Sequence, residues 1–110
     1  MKSDSSTLVS VVTTTSNEIE ILNQISSTLL EAKLAACIQI SGPITSHYVW
    51  EGQSQTGTEW QANIKTISLL TPQVVRTIKR LHNYDLPEII TTEVQASHEY
   101  SQWVEHQVNS

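Results

Sequence analysis

Cations are scarce in this chain: six Lys plus Arg stand against eleven Asp plus Glu over 110 residues, a formal net charge of −5. That shortage excludes a nucleic-acid groove, because neutralising phosphates needs clustered Lys and Arg. It speaks against anionic membrane surfaces for the same reason. Glycine is equally sparse, with three residues that never cluster, so no glycine-rich loop exists to cradle a phosphate. Cys37 is the only cysteine, and no disulfide can form within the chain. No apolar run approaches the ~20 residues that span a bilayer. The opening Met1–Thr7 is polar and lacks the apolar centre of a signal peptide. Residues 1–7 therefore read as a disordered arm, and 8–110 as one domain. A cytoplasmic address is the simplest expectation; an organelle address with a removed leader is the alternative.

Hydrophobic residues make up 38% of the chain, enough for a core but below the globular average. Self-association is one way to bury more. The pattern along the chain is mixed. Leu8 to Thr15, rich in Val and Thr, reads as a buried strand. Ser16 and Asn17 offer helix caps, and Asn17 with Glu20 has the spacing of a capping box. Ile21, Leu22, Ile25, Leu29 and Leu30 then follow at helical spacing, to an end near Lys33. An extended segment runs from Leu34 to Trp50, interrupted at Gly42-Pro43, where a bulge or bend is expected. Gly52 to Gly57 is rich in turn residues. Trp60, Ala62, Ile64 and Thr66 alternate with polar neighbours as a half-buried strand. Thr71-Pro72 opens a second helix, with Thr as cap and an apolar stripe of Val74, Val75, Ile78 and Leu81. Glu88 to Val94 is the last strand, and Ser97 caps a short final helix. The order β-α-β-β-α-β-α implies an α+β, ferredoxin-like sandwich with an extra C-terminal helix.

Length sharpens this reading. Residues 35–50 as one strand would span ~50 Å at about 3.3 Å per residue. A globule of this size has a radius of gyration of ~13 Å and a diameter of roughly 35 Å. The central hairpin should overhang its own helices, with Tyr48, Trp50 and Trp60 on the overhang. Such an arm is an association hazard unless neighbouring subunits cover it. A shorter hairpin folded back on its own core is the alternative.

Several side chains carry possible chemistry. Cys37 is a soft ligand or nucleophile in principle, or a small buried hydrophobe; alternation sets it opposite Ala36 and Ile38. His82 ends the second helix, where the helix dipole favours an imidazolium; a ligand role is equally open. His47 reads as a surface residue, and His98 and His106 as solvated. Glu59, Gln61, Asn63 and Lys65 share one strand face at period two. They form either a solvated row or, under a neighbouring subunit, the polar lining of a cleft. In such a cleft Lys65 would pair with Glu59 or hold an anion, and Glu88 would reach the same place. A nucleophilic enzyme needs a base and an orienting group beside Cys37, and no motif supplies them, so the expectation is a non-enzyme.

Taken together, Val12-Thr13-Thr14, Leu34-Ala35-Ala36-Cys37, Tyr48 with Trp50-Glu51-Gly52, Glu59, Ile64-Lys65-Thr66 and His82-x-Tyr84-x-x-Pro87-Glu88-Ile89 stand in the order and spacing of the CutA family. Tyr100 with Trp103 resembles its tail. The resemblance runs from about Leu8 to Val108. It implies a ferredoxin-like subunit in a tight homotrimer similar to the PII signalling proteins, with the long hairpin packed across neighbours. It implies a role in tolerance of divalent cations, copper especially, with weak metal binding and no obligatory cofactor. The alternative it leaves is a PII-like signalling or small-ligand module that uses the clefts between subunits; a purely scaffolding trimer is a third. Carried over by motif, Trp50, Glu59, Lys65, Tyr84 and Glu88 are the cleft residues, and Cys37 and His82 the metal donors. The family commonly has Pro after the histidine, where this chain has Asn83. Pro fixes φ and removes a donor, so Asn83 leaves the aim of His82 freer. His47 stands where an apolar residue is expected.

Overall fold

The computed structural model describes residues 7–109. The arm expected over residues 1–7 lies, save for Thr7, outside the described residues. The elements are β1 (Leu8–Ser16), α1 (Ile19–Glu31), β2 (Cys37–Trp50), β3 (Gln53–Thr66), a 3-10 turn (Ser68–Leu70), α2 (Thr71–Leu81), β4 (Ile89–Gln95) and α3 (His98–Gln107). The four strands form one sheet in the order β2-β3-β1-β4, and every pairing is antiparallel. This is the expected α+β, ferredoxin-like arrangement.

Period two in the strands and 3.6 in the helices build the core. Val12, Ala62 and Ile64 face Leu22, Ile25 and Leu29 of α1 and Val74 and Ile78 of α2, all fully buried. Ile38, Ile40 and Trp60 pack against the edge of this cluster. Burying one such aliphatic side chain contributes about 1.5–3 kcal/mol, so this single face carries most of the apolar stabilisation. Leu30 of α1, expected in the stripe, is 45% exposed. α3 packs against β1 and β3 on the other face, where its Val104 is buried. The chain end is tied back to α1: the Asn109 amide N–H donates to the Lys33 carbonyl at 3.0 Å, and its side chain to that of Ala32.

The helix ends differ from the sequence expectation in instructive ways. Asn17 and Glu20 form no capping box. The N-cap of α1 is Glu18, without a side-chain cap bond, and the Ser16 hydroxyl receives the Glu18 N–H instead. Thr71 does not cap α2. It is already helical after the 3-10 turn, and its hydroxyl bonds Ser10 at 2.7 Å. Ser97 does cap α3, accepting from the Tyr100 N–H. α1 closes with Lys33 in the left-handed region (φ 56), while the Leu34 N–H reaches back to the Leu29 carbonyl and the Lys33 N–H to that of Leu30. This is a Schellman closure with lysine where glycine is usual.

The hairpin is long, as its length predicted. β2 and β3 have 14 residues each, and the molecule measures 50 × 31 × 22 Å. Its radius of gyration is 15.0 Å, above the ~13 Å of a compact chain this long. The turn is only Glu51-Gly52, both with positive φ, the two-residue form that matches strand twist. Gln53 to Gly57, expected as turn, instead pairs with β2 up to Trp50. The register shifts between Ser41 and Ile44, the bulge expected at Gly42-Pro43. Tyr48, Val49 and Trp50 are exposed near the tip. Trp60 is not on the overhang. It pairs with Ser16 at the hairpin root and packs on the core.

Candidate functional site

The connection from α2 to β4 brings three elements together at the base of the arm. α2 ends at Leu81, and His82, its C-cap, turns to an extended conformation. The imidazole then crosses to β1, where Nε2 lies 2.7 Å from the Thr15 carbonyl. The Tyr84 backbone N–H donates to Nδ1 at 3.0 Å. A carbonyl on one nitrogen and an N–H on the other dictate the neutral Nε2–H tautomer. Burial lowers the His82 pKa, outweighing the Thr15 carbonyl and the Glu59 carboxylate, both of which favour the proton. The helix-dipole argument for an imidazolium is thus overturned: desolvation of the charged ring wins.

Two residues on, the Tyr84 hydroxyl donates to Glu59 Oε2 at 2.7 Å, while the Ser46 hydroxyl donates to Oε1 at 2.6 Å. Each oxygen of the Glu59 carboxylate therefore has a hydroxyl donor, one from the arm and one from the connection. Burial first, then Glu59 as hydrogen-bond partner and as charge, raises the Tyr84 pKa far above its ordinary 10.0. Tyr48 stands near enough to add to this effect. The His82 and Tyr84 rings lie 4.9 Å apart.

Asn83 sits between them. Its carbonyl oxygen accepts from the Ser16 hydroxyl at 2.8 Å, and its amide donates to Asn17 Oδ1 and Glu18 Oε2, both at 2.9 Å. The expectation that Asn83 leaves His82 loosely aimed does not hold. An asparagine here has three side-chain partners, none of which proline could bind.

The other expected site residues lie elsewhere in the same chain. Cys37 pairs with Lys65, four residues along β3 from Gln61, the partner of Thr15. That separates Cys37 from the Thr15 end by about 13 Å of strand. Cys37 faces away from the Ile38–Ile40 core side, toward Tyr100, whose pKa is raised by burial and then by this thiol. Lys65 does not pair with Glu59, six residues or roughly 20 Å away along the strand. Its Nζ donates to Gln39 Oε1 at 2.5 Å. Trp50 pairs with Gln53 near the tip, whereas Glu59 pairs with Ile44, again roughly 20 Å apart. Glu88 is exposed, one step beyond the last β1–β4 pair, Thr14–Ile89.

Among the described residues no group of three or more His, Cys, Asp or Glu side chains is disposed to hold a metal ion. With both His82 nitrogens engaged and Cys37 distant, a resident metal does not fit one chain alone. Ser46 and Thr15, which complete the junction, are not among the residues that the sequence marks for a site. Thr15 acts through its carbonyl, which has no sequence signature; Ser46 is one hydroxyl among many.

Three comparisons bear on this arrangement. The family model for the CutA1 divalent ion tolerance protein matches residues 10–107. The "Divalent-cation tolerance protein CutA" of Archaeoglobus fulgidus is 34% identical over 95 residues, covering 86% of this chain and 92% of that one. The rice "Protein CutA 1, chloroplastic" is 34% identical over 109 residues, covering 96% of this chain but 61% of the relative. The chain spans 50% and 48% of the mouse and human relatives it also matches. Among solved structures, CutA1 from Ehrlichia chaffeensis superposes with a TM-score of 0.87 at 37% identity, over 93% of this chain and 96% of that one. No helix among the described residues is long and apolar enough to cross a membrane.

Proposed function

The chain belongs to the CutA1 divalent ion tolerance protein family, and from that membership we propose that it serves divalent-cation tolerance as a homotrimer. Copper or another divalent ion is then a cargo, bound weakly, and not a resident cofactor. The carrying observation is the family match across residues 10–107, nearly the whole chain. The trimer reading is supported by the arm, which exposes Tyr48, Val49 and Trp50, and by β4, which exposes Ile90 and Val94. Apolar area of this kind at a sheet edge calls for a partner. Trp50 and Lys65 would join the Glu59–Tyr84 junction only from a neighbouring chain, and Glu88 stays a candidate for the same cleft. Sedimentation at micromolar concentration tests this: a stable single-chain species overturns the trimer and with it the shared cleft.

For the metal, Cys37 is the better donor, because its thiol is half-exposed and soft. His82 would have to give up its bond from Tyr84. Calorimetry with copper on the parent, Cys37→Ser and His82→Ala is the test. Loss in Cys37→Ser supports the reading; unchanged binding in both variants ends it. We read the protein as a binder and not a catalyst, since Glu59, Tyr84 and His82 spend their polar atoms on one another and on backbone. The cytoplasm is the proposed address, checked by fractionation.

A second reading is favoured by one observation: Glu59 is held in place by two hydroxyls, those of Ser46 and Tyr84. A carboxylate so fixed, with the Tyr84 ring against it, suits a small polar ligand in the manner of a PII-like module. A thermal-shift screen of metabolites tests it, since a ligand of the native state raises apparent stability. Stabilisation that disappears in Glu59→Gln supports the reading; no stabilisation at millimolar concentrations refutes it.

A further inference from the structure

The α2–β4 connection is held by side chains. His82 and Tyr84 point to different elements, β1 and β3, and only a fixed backbone between them can satisfy both. Asn83 occupies that central position. It uses its carbonyl oxygen and its amide group on three consecutive residues of the β1–α1 turn, Ser16, Asn17 and Glu18. An asparagine side chain offers two donors and one double acceptor, so this is most of its capacity, although the residue is exposed. An exposed side chain gains little from one hydrogen bond. Three bonds to a turn anchored by Ser16, which is itself fully buried, fix its orientation.

We infer that Asn83 is the positioning residue of this junction: it ties the connection to the β1–α1 turn and thereby aims His82 at Thr15 and Tyr84 at Glu59. The inference rests on the junction being the functional part of the cleft, but its geometry can be tested without any ligand. Two features make the coupling specific. The His82 ring receives the Tyr84 backbone N–H, so rotation about the Asn83 backbone moves both rings together. Thr15, whose carbonyl meets the His82 ring, directly precedes Ser16, which donates to Asn83, so the turn held by Asn83 is also the turn that carries the acceptor of His82.

The test is nitrogen NMR of the imidazole at neutral pH, with His82 assigned by its loss in His82→Gln. In the parent the two ring nitrogens are widely separated in shift, as a protonated Nε2 and a bare Nδ1. In Asn83→Ala the two shifts move toward each other as the tautomers begin to exchange, and the Tyr84 ring signals broaden. A second variant, Asn17→Ala with Glu18→Ala, removes both acceptors of the Asn83 amide from exposed positions outside the core. It moves the same signals in the same direction by a smaller amount. A well-folded Asn83→Ala or double variant that keeps the parent tautomer signature overturns the inference. Failure of the ligand reading shows separately, as no thermal shift in the parent while the tautomer signature still responds to Asn83.

Discussion

Gly42→Ala should damage this protein more than a single methyl group suggests. Gly42 lies at the bulge with φ +140, where side chains are rarely tolerated. A Cβ built there meets Trp60 Cδ1 at 2.7 Å, the Glu59 carbonyl oxygen at 3.1 Å and Trp60 Cα at 3.1 Å. The strained backbone alone costs about 1–3 kcal/mol. Forcing the indole off its seat, with two backbone atoms unable to yield, adds about 1–3 kcal/mol. The expected loss is therefore about 2–6 kcal/mol. Urea unfolding at fixed protein concentration reads it directly. With a slope of about 1.5 kcal/mol per molar, a 3 kcal/mol loss lowers the midpoint by ~2 M. Gly57→Ala is the control, since nothing lies within 4 Å of its Cβ position; its midpoint should stay within ~0.3 M of the parent. A Gly42→Ala midpoint equally unmoved would refute the account of how the arm bends over Trp60.

Other substitutions probe the junction and the core. Tyr84→Phe removes one of the two hydroxyl donors to Glu59 and should cost about 1.5 kcal/mol in chemical unfolding; Ser46→Ala should resemble it, and no loss in either would mean the carboxylate is solvated. The Thr14 hydroxyl is buried without a partner, so isosteric Thr14→Val should stabilise by ~1 kcal/mol, and a lower unfolding midpoint would count against an orphaned hydroxyl. Lys33→Gly relieves a left-handed lysine worth about 1 kcal/mol, partly offset by the freer unfolded chain; a net gain of a few tenths in urea unfolding is expected. For pH, the folded His82 pKa lies below its ordinary 6.5. The unfolded chain then takes the proton first, so the neutral ring's contribution is complete above pH 6.5 and is lost as pH falls through the folded value. Urea midpoints measured from pH 7.5 down to 5 should decline less steeply in His82→Gln than in the parent.

Much of the fold was legible because its signals are local. Val and Thr runs, apolar residues at spacing three and four, Thr71-Pro72 and the Ser97 cap located the four strands and three α-helices of the described residues, though not the 3-10 turn. Chain length against globule size foretold the overhanging arm. Boundaries were less legible where competing partners are equivalent on paper. Of the two caps offered, Ser16 and not Asn17 receives an N–H, because the end of β1 points its hydroxyl at the Glu18 N–H. Thr71 turned to Ser10 across the sheet. The polar stretch Gln53–Gly57 looked like a turn, yet antiparallel backbone pairing extends through it.

The candidate site divides along the same line. Residue types and spacing alone determined which side chains are candidates for chemistry and that a charged, aromatic connection follows α2. Only the tertiary structure decided which of them meet. Glu59 and Lys65 share a strand face in the sequence, but strand rise sets them roughly 20 Å apart. Glu59 and Tyr84, 25 residues apart, touch at 2.7 Å. The tautomer of His82 was decided by a backbone carbonyl and a backbone N–H, groups every residue possesses and no sequence pattern marks. Periodicity reports what a side chain faces. Contact between distant elements depends on register, bulges and the path of the connection, which are set when the whole sheet assembles.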